Sequence, residues 1–502
     1  MADVSKKLAY ALDLIETGQY FIISRPRQYG KTTMLYTLAD TLRNTGDYIV
    51  MNMSFEGIGD AVFNNEQVFS TGFVKLLAKY ASAYFPEMVD WLKETANSIN
   101  SLEELEPMLT TFVNKTEKKI VLMIDEVDKS SNNQLFISFL AMLRNKYLER
   151  HSFKTFHSVV LAGLHDVKSL KLKLRPDDEK KYNSPWNIAA EFTVDMNLNP
   201  TEIKPMLEDY ARDKNTTMDT EGVAERLFYY TSGYPFLVSK MCKIIDETIL
   251  PERTDKNWTL EDVETASVLI MQNTNTNFDS LIKNLENNPE LYELVYKKLV
   301  SNEVEMYSIH DPIVNWGLMH GILKNGRGLS VHNRIYEAII YDYMTSKTKS
   351  KLLMAEYNVN SKFKLADNRL NMELVLRNFQ AFMREQHSLK NASFLQLNGR
   401  LVFLAFIKPI INGSGYDFKE VQISEERRLD VTITYFQHKY VAELKVWRGP
   451  IAHEEGLAQL LDYLDRLALD EGYLLIFDNS KKKTWKSGWQ TVEGKKIFMV
   501  WV

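Results

Sequence analysis

The chain has 502 residues, 45% of them hydrophobic and 25% charged, with a net charge of −5, an ordinary globular composition that predicts several domains and excludes low-complexity disorder. A single cysteine, Cys242, excludes an internal disulfide and a cysteine-based zinc cluster; the longest apolar run, Leu401 to Ile407, is cut by Lys408, far short of the ~20 residues of a membrane span. The start, MADVSKKLAYALDL, lacks a basic-then-apolar leader, so the expected setting is the cytoplasm, and interspersed charges leave nucleic-acid binding to local patches.

With only 21 glycines and 13 prolines, the chain predicts a helix-rich body. From Gln19, QYFIIS reads as a strand, followed by a Gly-containing turn and the amphipathic helix TTMLYTLADTLRN. YIVMNMSF (48–55) is a second strand, amphipathic helices follow to about Thr116, and KKIVLMIDE and SVVLAG (158–163) are continuous apolar strands. Strands of that kind are covered on both faces, so 1–199 is expected to form an α/β domain around a mostly parallel sheet. Residues 200–255 read as a helical lid. A winged-helix-type module is expected over 256–345: PELYELVYKKLVS, IVNWGLMHGIL, the turn KNGRG, the strand LSV and a closing helix. The Lys-rich SKTKSK opens a helical linker, 346–385, and 386–502 reads in the order αβββαβ.

Gly30-Lys31-Thr32 stands where a strand turns into a helix, so backbone N–H groups and the helix dipole face an anion and Lys31 adds a point charge. Thr32 places a hydroxyl for Mg²⁺. The nucleotide-binding candidates are Arg27, Gln28, Tyr29, Gly30, Lys31, Thr32 and Thr33. The usual phosphate loop has a glycine six positions before the lysine; here Arg25 occupies it. About 95 residues on, Asp125 and Glu126 end a buried strand, where the first carboxylate can hold Mg²⁺ and the second can orient and deprotonate the attacking water. Asp128 reads as a helix N-terminal acid. His165 and Asp166, after the next strand, fit a γ-phosphate sensor or a satisfied turn equally well, and Gly233-Tyr234-Pro235 fits either a helix break or a turn that presses Pro235 on an adenine ring.

SRPRQYGKTT, SFEG, IDEVD and SGYP together resemble the bacterial AAA-ATPase-like family, on the AAA+/STAND side of the P-loop NTPases. The resemblance implies a P-loop NTPase core with a helical lid and winged helix, ATP and Mg²⁺ as cofactors, and an arginine-rich phosphate loop that accommodates Arg25. With no membrane-length apolar run no membrane partner is expected, and a homo-oligomer stays open.

In the C-terminal region Asp430 opens the strand RLDVTI, and Glu443 and Lys445, two apart, share a face of the next strand. The two carboxylates can share a divalent cation while Lys445 orients a water or stabilises a phosphorane-like transition state. Gln459 and Tyr463, four apart on a helix, can point back at them. The constellation and the αβββαβ order resemble the PD-(D/E)xK nuclease superfamily, a restriction-endonuclease-like fold commonly fused to AAA-ATPase-like cores. The first helix lacks the acid many such nucleases carry: Gln396 stands there, and Glu420 is a substitute. The expected partner is nucleic acid, DNA more than RNA. Residues 386–502 carry 16 Lys/Arg against 14 Asp/Glu, and Lys481, Lys482, Lys483 and Lys486 near Trp485 either touch a phosphate backbone or form a solvated turn. The alternatives are a nucleotide switch with an inactive nuclease fold, and a mechanical ATPase with a C-terminal scaffold.

Overall fold

Lys119 to Asp125 shows why the first sheet forms where it does. After Lys119 every residue of this apolar run is buried, so it needs cover on both faces and takes a central place in the sheet. The computed structural model describes all residues except 1, 57–58, 128–133, 164–185, 187, 274, 301–307, 309–310, 327, 352–362, 389–391, 412–414, 419–421, 425–426, 429–430, 448–449 and 479–482. Asp128, His165, Asp166, Glu420, Asp430, Lys481 and Lys482 therefore lie outside the described residues, as does the side chain of Gln396. The chain divides into two compact units, Met1–Thr276 with Glu305–Tyr336, and Asn277–Val304 with Glu337–Val502.

In the first unit α1 (Ser5–Glu16) leads to β1 (Phe21–Ser24), α2 (Lys31–Thr45), β2 (Tyr48–Ser54), α3 (Glu66–Ala81), α4 (Val89–Ser98), α5 (Leu102–Val113), β3 (Lys119–Asp125), α6 (Gln134–Leu148), β4 (Ser158–Gly163) and β5 (Ala190–Glu191). The five strands are all parallel, in the order β2-β3-β4-β1-β5. Ile49, Met51, Met53, Ile120, Leu122 and Ile124 join a core with Phe69, Phe73, Phe112, Phe136 and Phe139 from α3, α5 and α6. The alternate residues, Val50, Val121 and Met123, are equally buried on the opposite face, where α2 lies against β2, β3 and β4. All four strands expected in 1–199 are present; the two-residue β5 is an addition that no local pattern announces.

Then come α7 (Pro200–Lys214), α8 (Thr220–Thr231), α9 (Pro235–Ile244) and α10 (Leu260–Gln272). Capping boxes start two of them, Asn199 with Glu202 and Thr259 with Asp262. The buried Lys7 ammonium donates to Glu202 at 2.6 Å, tying α1 to the head of α7. Gly233, at φ +75°, packs so closely that a Cβ would sit 2.0 Å from the Leu198 carbonyl oxygen, and its own carbonyl accepts from Leu198 N–H at 2.8 Å. Only glycine fits this turn, which fixes the following Tyr234 and Pro235 at the start of α9.

Of the segment read as one winged-helix module, α11 (Thr276–Asn287) from Asn277 onward and α12 (Pro289–Val300) belong to the second unit. By contrast α13 (Pro312–Met319), the hairpin of β6 (Leu323–Asn325) and β7 (Leu329–Val331), and the first residues of α14 (Arg334–Lys351) belong to the first. α12 packs on a long apolar helix of its own unit, Ala392–Ile411, which sequence order alone does not indicate.

The second unit continues with α15 (Met372–Ser388), α16 (Ala392–Ile411), β8 (Gly415–Phe418), β9 (Gln422–Ser424), β10 (Arg427–Arg428), β11 (Val431–Tyr435), β12 (His438–Val446), α17 (Pro450–Arg466), β13 (Glu471–Phe477), β14 (Ser487–Val492) and β15 (Lys495–Trp501). Its six-stranded sheet has the order β14-β15-β13-β12-β11-β8, with β12, β13 and β15 parallel and the other pairs antiparallel. Leu460 and Leu464 of α17 pack on Val441, Leu474, Ile476 and Met499. α15 meets α16 through Phe379 and Phe403, ring centroids 5.0 Å apart. The hairpin β14–β15 goes beyond the expected elements.

Candidate nucleotide-binding site

β1 ends at Ser24 and α2 begins at Lys31, leaving six residues to turn the chain at the carboxyl edge of a parallel sheet, where such folds take their ligands. Gln28 (φ 60°) and Gly30 (φ 76°) adopt left-handed conformations that make the turn a concave nest of N–H groups at the head of a 15-residue helix. The buried Lys31 ammonium donates to the carbonyls of Arg25 and Pro26, both at 2.9 Å, and so spans the loop from within. Thr32 and Thr33 are exposed in the first turn of α2, and Arg27 and Gln28 are exposed on the loop.

Ser54 at the end of β2 pairs with Asp125 at the end of β3. The nearly buried Asp125 carboxylate accepts from the Thr32 hydroxyl at 2.6 Å through Oδ2 and from the Glu126 N–H at 2.9 Å through Oδ1. Residues 93 apart in sequence thus present two oxygens side by side. Glu126 is half-buried at φ 57°, a left-handed conformation rare outside glycine and asparagine, which turns it out of the strand line.

Arg25 does not face the nest. Its guanidinium donates to the carbonyls of Ser24 (2.7 Å), Phe192 (3.2 Å) and Val194 (2.7 Å) and lies 5.9 Å from the Phe192 ring centroid, and burial lowers its pKa. At the position of the usual glycine, this arginine fastens the loop to the segment after β5.

Two residues at the loop carry little or no local signal in the sequence. Tyr234 reaches the loop: its hydroxyl donates to the Arg27 carbonyl at 2.9 Å and its ring lies 4.7 Å from that of Tyr29. Pro235 is the first residue of α9. His332, just after β7, sits 2.6 Å from the Tyr29 hydroxyl through Nε2. Asn333 Oδ1 accepts from Tyr336 N–H, which turns its Nδ2 donor toward His332 Nδ1 at 3.2 Å. Nδ1 is therefore the acceptor, and Nε2 carries the proton and donates to Tyr29. Gly321 at φ 66° completes the contact, since a Cβ there would lie 2.9 Å from Pro26 Cγ. No spacing rule links a histidine to a tyrosine 303 positions earlier.

Burial holds His332 neutral, with its pKa depressed to about 3, and the Lys324 charge acts in the same direction. The unfolded chain then binds a proton near pH 6.5 that the folded one refuses, so stability is lost as pH falls below about 6.5, by up to about 1.4 kcal/mol per pH unit from this group. Thermal unfolding between pH 7.5 and 5 is expected to show this slope in the native chain and to lose it in His332→Gln.

Residues 5–337 match the family model of the AAA-like domain, two thirds of the chain. The chain belongs to the AAA-like domain family. A curated relative, an uncharacterized WD repeat-containing protein of Synechocystis, is 20% identical over 364 residues, and this chain spans 28% of its length. Among solved structures, the Walker-type ATPase of Pyrococcus abyssi aligns at 14% identity and TM-score 0.46 over 68% of this chain and 96% of that one. The ORC1 protein of Aeropyrum pernix, solved with DNA, aligns at 13% and 0.34 over 68% and 93%. A STAND protein with a tetratricopeptide repeat sensor from Pyrococcus horikoshii aligns at 15% and 0.28 over 82% and 52%. The AAA-like match and the loop geometry agree on a P-loop, ATPase-like core. No helix among the described residues is long and apolar enough to cross a membrane.

Beyond the AAA-like match, the second unit holds a carboxylate in the middle of its sheet. Glu443 lies on β12 opposite Leu474 of β13 and is only 2% exposed. Lys445 Nζ is 2.9 Å from Glu443 Oε1 and donates to Gln459 Oε1 at 2.8 Å. Gly456 makes room: a Cβ there would lie 2.9 Å from Lys445 Cγ. Three of the expected residues are thus gathered between β12 and α17, and Tyr463 is buried on the same helix. Among the described residues no group of three or more His, Cys, Asp or Glu could hold a metal.

Proposed function

We propose that this protein is a Mg²⁺-dependent ATP hydrolase whose second unit cuts nucleic acid, DNA in preference to RNA, with the help of a divalent cation. The observation that carries the ATPase reading is the 2.6 Å contact of Thr32 with Asp125, because a hydroxyl and a carboxylate oxygen at the mouth of a phosphate nest are the hard donors Mg²⁺ takes in nucleotide sites. Thr32 and Asp125 would hold Mg²⁺ there, which would neutralise charge on the β- and γ-phosphates. Lys31 and the N–H groups around Gln28 and Gly30 hold and orient those phosphates. Glu126, turned out of the strand, aligns the attacking water and accepts its proton. Tyr234 and His332 press the loop from the lid and hairpin sides, so phosphate binding and the position of α13 and the β6–β7 hairpin are expected to move together.

In the second unit the support is the buried Glu443 held against Lys445 and Gln459 on one face. Glu443, with Asp430, would hold the cation, which polarises the scissile phosphate; Lys445 would donate to the developing negative charge. ATP turnover by the full chain, and cleavage of plasmid and single-stranded DNA, each with Mg²⁺ and after EDTA, test the two halves separately. Turnover and cleavage that both vanish with EDTA are expected, and metal-independent activity would refute the corresponding half.

A further inference from the structure

One edge of the second sheet carries rings that neither proposed reaction uses. β12, β13 and β15 run parallel, so Trp447, Asp478 and Trp501 come to the same carboxyl edge, where Trp447 N–H continues the ladder to the Phe477 carbonyl at 2.8 Å. Trp447 stays 36% exposed, so its ring is open to a ligand. The Trp447 ring lies 5.9 Å from His453 in the first turn of α17, and His453 lies 5.9 Å from Trp501, so three rings form a row. A lysine-bearing segment runs beside Trp501: the Lys486 backbone carbonyl accepts from Trp501 N–H at 2.9 Å, and three residues earlier the Lys483 ammonium stands 5.6 Å over Trp485.

The row is also aligned with the carboxylate site. By the two-residue period of a strand, Glu443, Lys445 and Trp447 follow one another on the same face, with Trp447 ~13 Å beyond Glu443. α17 supplies His453 at one end and Gln459 at the other. Flat rings beside a lysine-bearing segment reward a chain that is both anionic and able to turn an aromatic face outward. Duplex bases keep their faces within the helix, whereas unpaired bases stack on such rings regardless of sequence.

We propose that Trp447, His453 and Trp501 form a stacking platform for unpaired nucleobases, so that the nucleic acid presented to Glu443 and Lys445 is single-stranded or opened at that point. This rests on the nuclease reading for its catalytic meaning, but the platform itself is a binding site.

The test measures anisotropy of a fluorescein-labelled oligo-dT 20-mer and of a labelled hairpin duplex with the full chain, Ca²⁺ replacing Mg²⁺. The single strand is expected to bind at least about 10-fold tighter than the duplex. Trp447→Ala should weaken single-strand binding by roughly 10-fold, and Trp447→Phe, which keeps a ring, should retain most of it. Trp447→Ala binding the single strand as the native chain does, or duplex binding as tight as single-strand binding, would overturn the proposal. Trp447→Phe losing as much as Trp447→Ala would also overturn it, since a structural role for the indole would then explain the loss. If the platform variants behave as expected while the native chain cleaves neither oligonucleotide with Mg²⁺ or Mn²⁺, the nuclease reading alone fails.

Discussion

Lys31→Ala should lose ATP binding and hydrolysis together, whereas Glu126→Gln should keep binding and lose turnover. The reason is where each group acts. Lys31 lies inside the loop, bonded to the Arg25 and Pro26 carbonyls, and is the charge proposed to face a phosphate held by the N–H nest. Its removal takes away a donor in both ground and transition states, so the ATP affinity falls and kcat/KM drops by roughly 10²–10³ beyond that. Glu126 is set beside the Thr32–Asp125 pair through its N–H bond to Asp125, and as the proposed base its loss should remove proton acceptance, worth about 10²–10⁴ in kcat. Fluorescent-ATP titration together with steady-state phosphate release separates the two. Lys31→Ala binding ATP like the native chain, or Glu126→Gln turning over at the native rate, would sink the assignment. Circular dichroism should show both variants folded, because neither side chain is part of the apolar core beneath the sheet.

How much of this was legible beforehand depended on whether the signal was local. The run ending at Ser24, the triplet Gly30-Lys31-Thr32 and the apolar strand closing on Asp125 and Glu126 are contiguous patterns, and the structure brings Thr32 and Asp125 into contact as that pattern implies. In the second unit the two-residue spacing of Glu443 and Lys445 and the helix bearing Gln459 were likewise enough to gather three side chains. What stayed hidden was set by distant partners. Arg25 looked like a departure from a phosphate loop, but its donors are spent on carbonyls at 192 and 194, a contact with no sequence period. Tyr234 was visible only as the middle of a Gly-x-Pro turn, and what decides its role is the backbone squeeze of Gly233 against Leu198. His332 had no signal at all, since its meaning lies in Tyr29 and in the Asn333 amide that fixes its tautomer. The division of 256–345 between the units is of the same kind: helical periodicity shows that α12 has an apolar face but not that α16 covers it.

Those distant contacts give the AAA-like core a physical route from nucleotide to fold. The loop from Arg25 to Lys31 is held from three directions: by Arg25 on the segment after β5, by Tyr234 at the head of α9, and by His332 and Gly321 from the hairpin side. A phosphate that reorders this loop therefore works against a close-packed aromatic contact rather than a solvated surface, and such packed contacts shift between discrete arrangements.

Glu443→Gln should abolish nucleic-acid cleavage, by about 10³-fold or more, while leaving ATP turnover within about twofold. The substitution keeps the shape of a side chain only 2% exposed but removes the negative charge that would hold the cation, so the loss is chemical rather than structural. Lys445→Ala should cost less, roughly 10²–10³, because it removes one donor to the charged transition state and leaves the cation ligands in place. The two are already coupled at 2.9 Å, so the double variant should fall well short of the product of the single losses. Isothermal titration with Mn²⁺ adds an arm independent of turnover: metal binding to the second unit should weaken in Glu443→Gln and persist in Lys445→Ala. Equal Mn²⁺ affinity in all variants would show that Glu443 is not a ligand. Its charge would then have no role beyond pairing with Lys445, and the switch reading, in which this unit binds without cutting, would take the place of the nuclease.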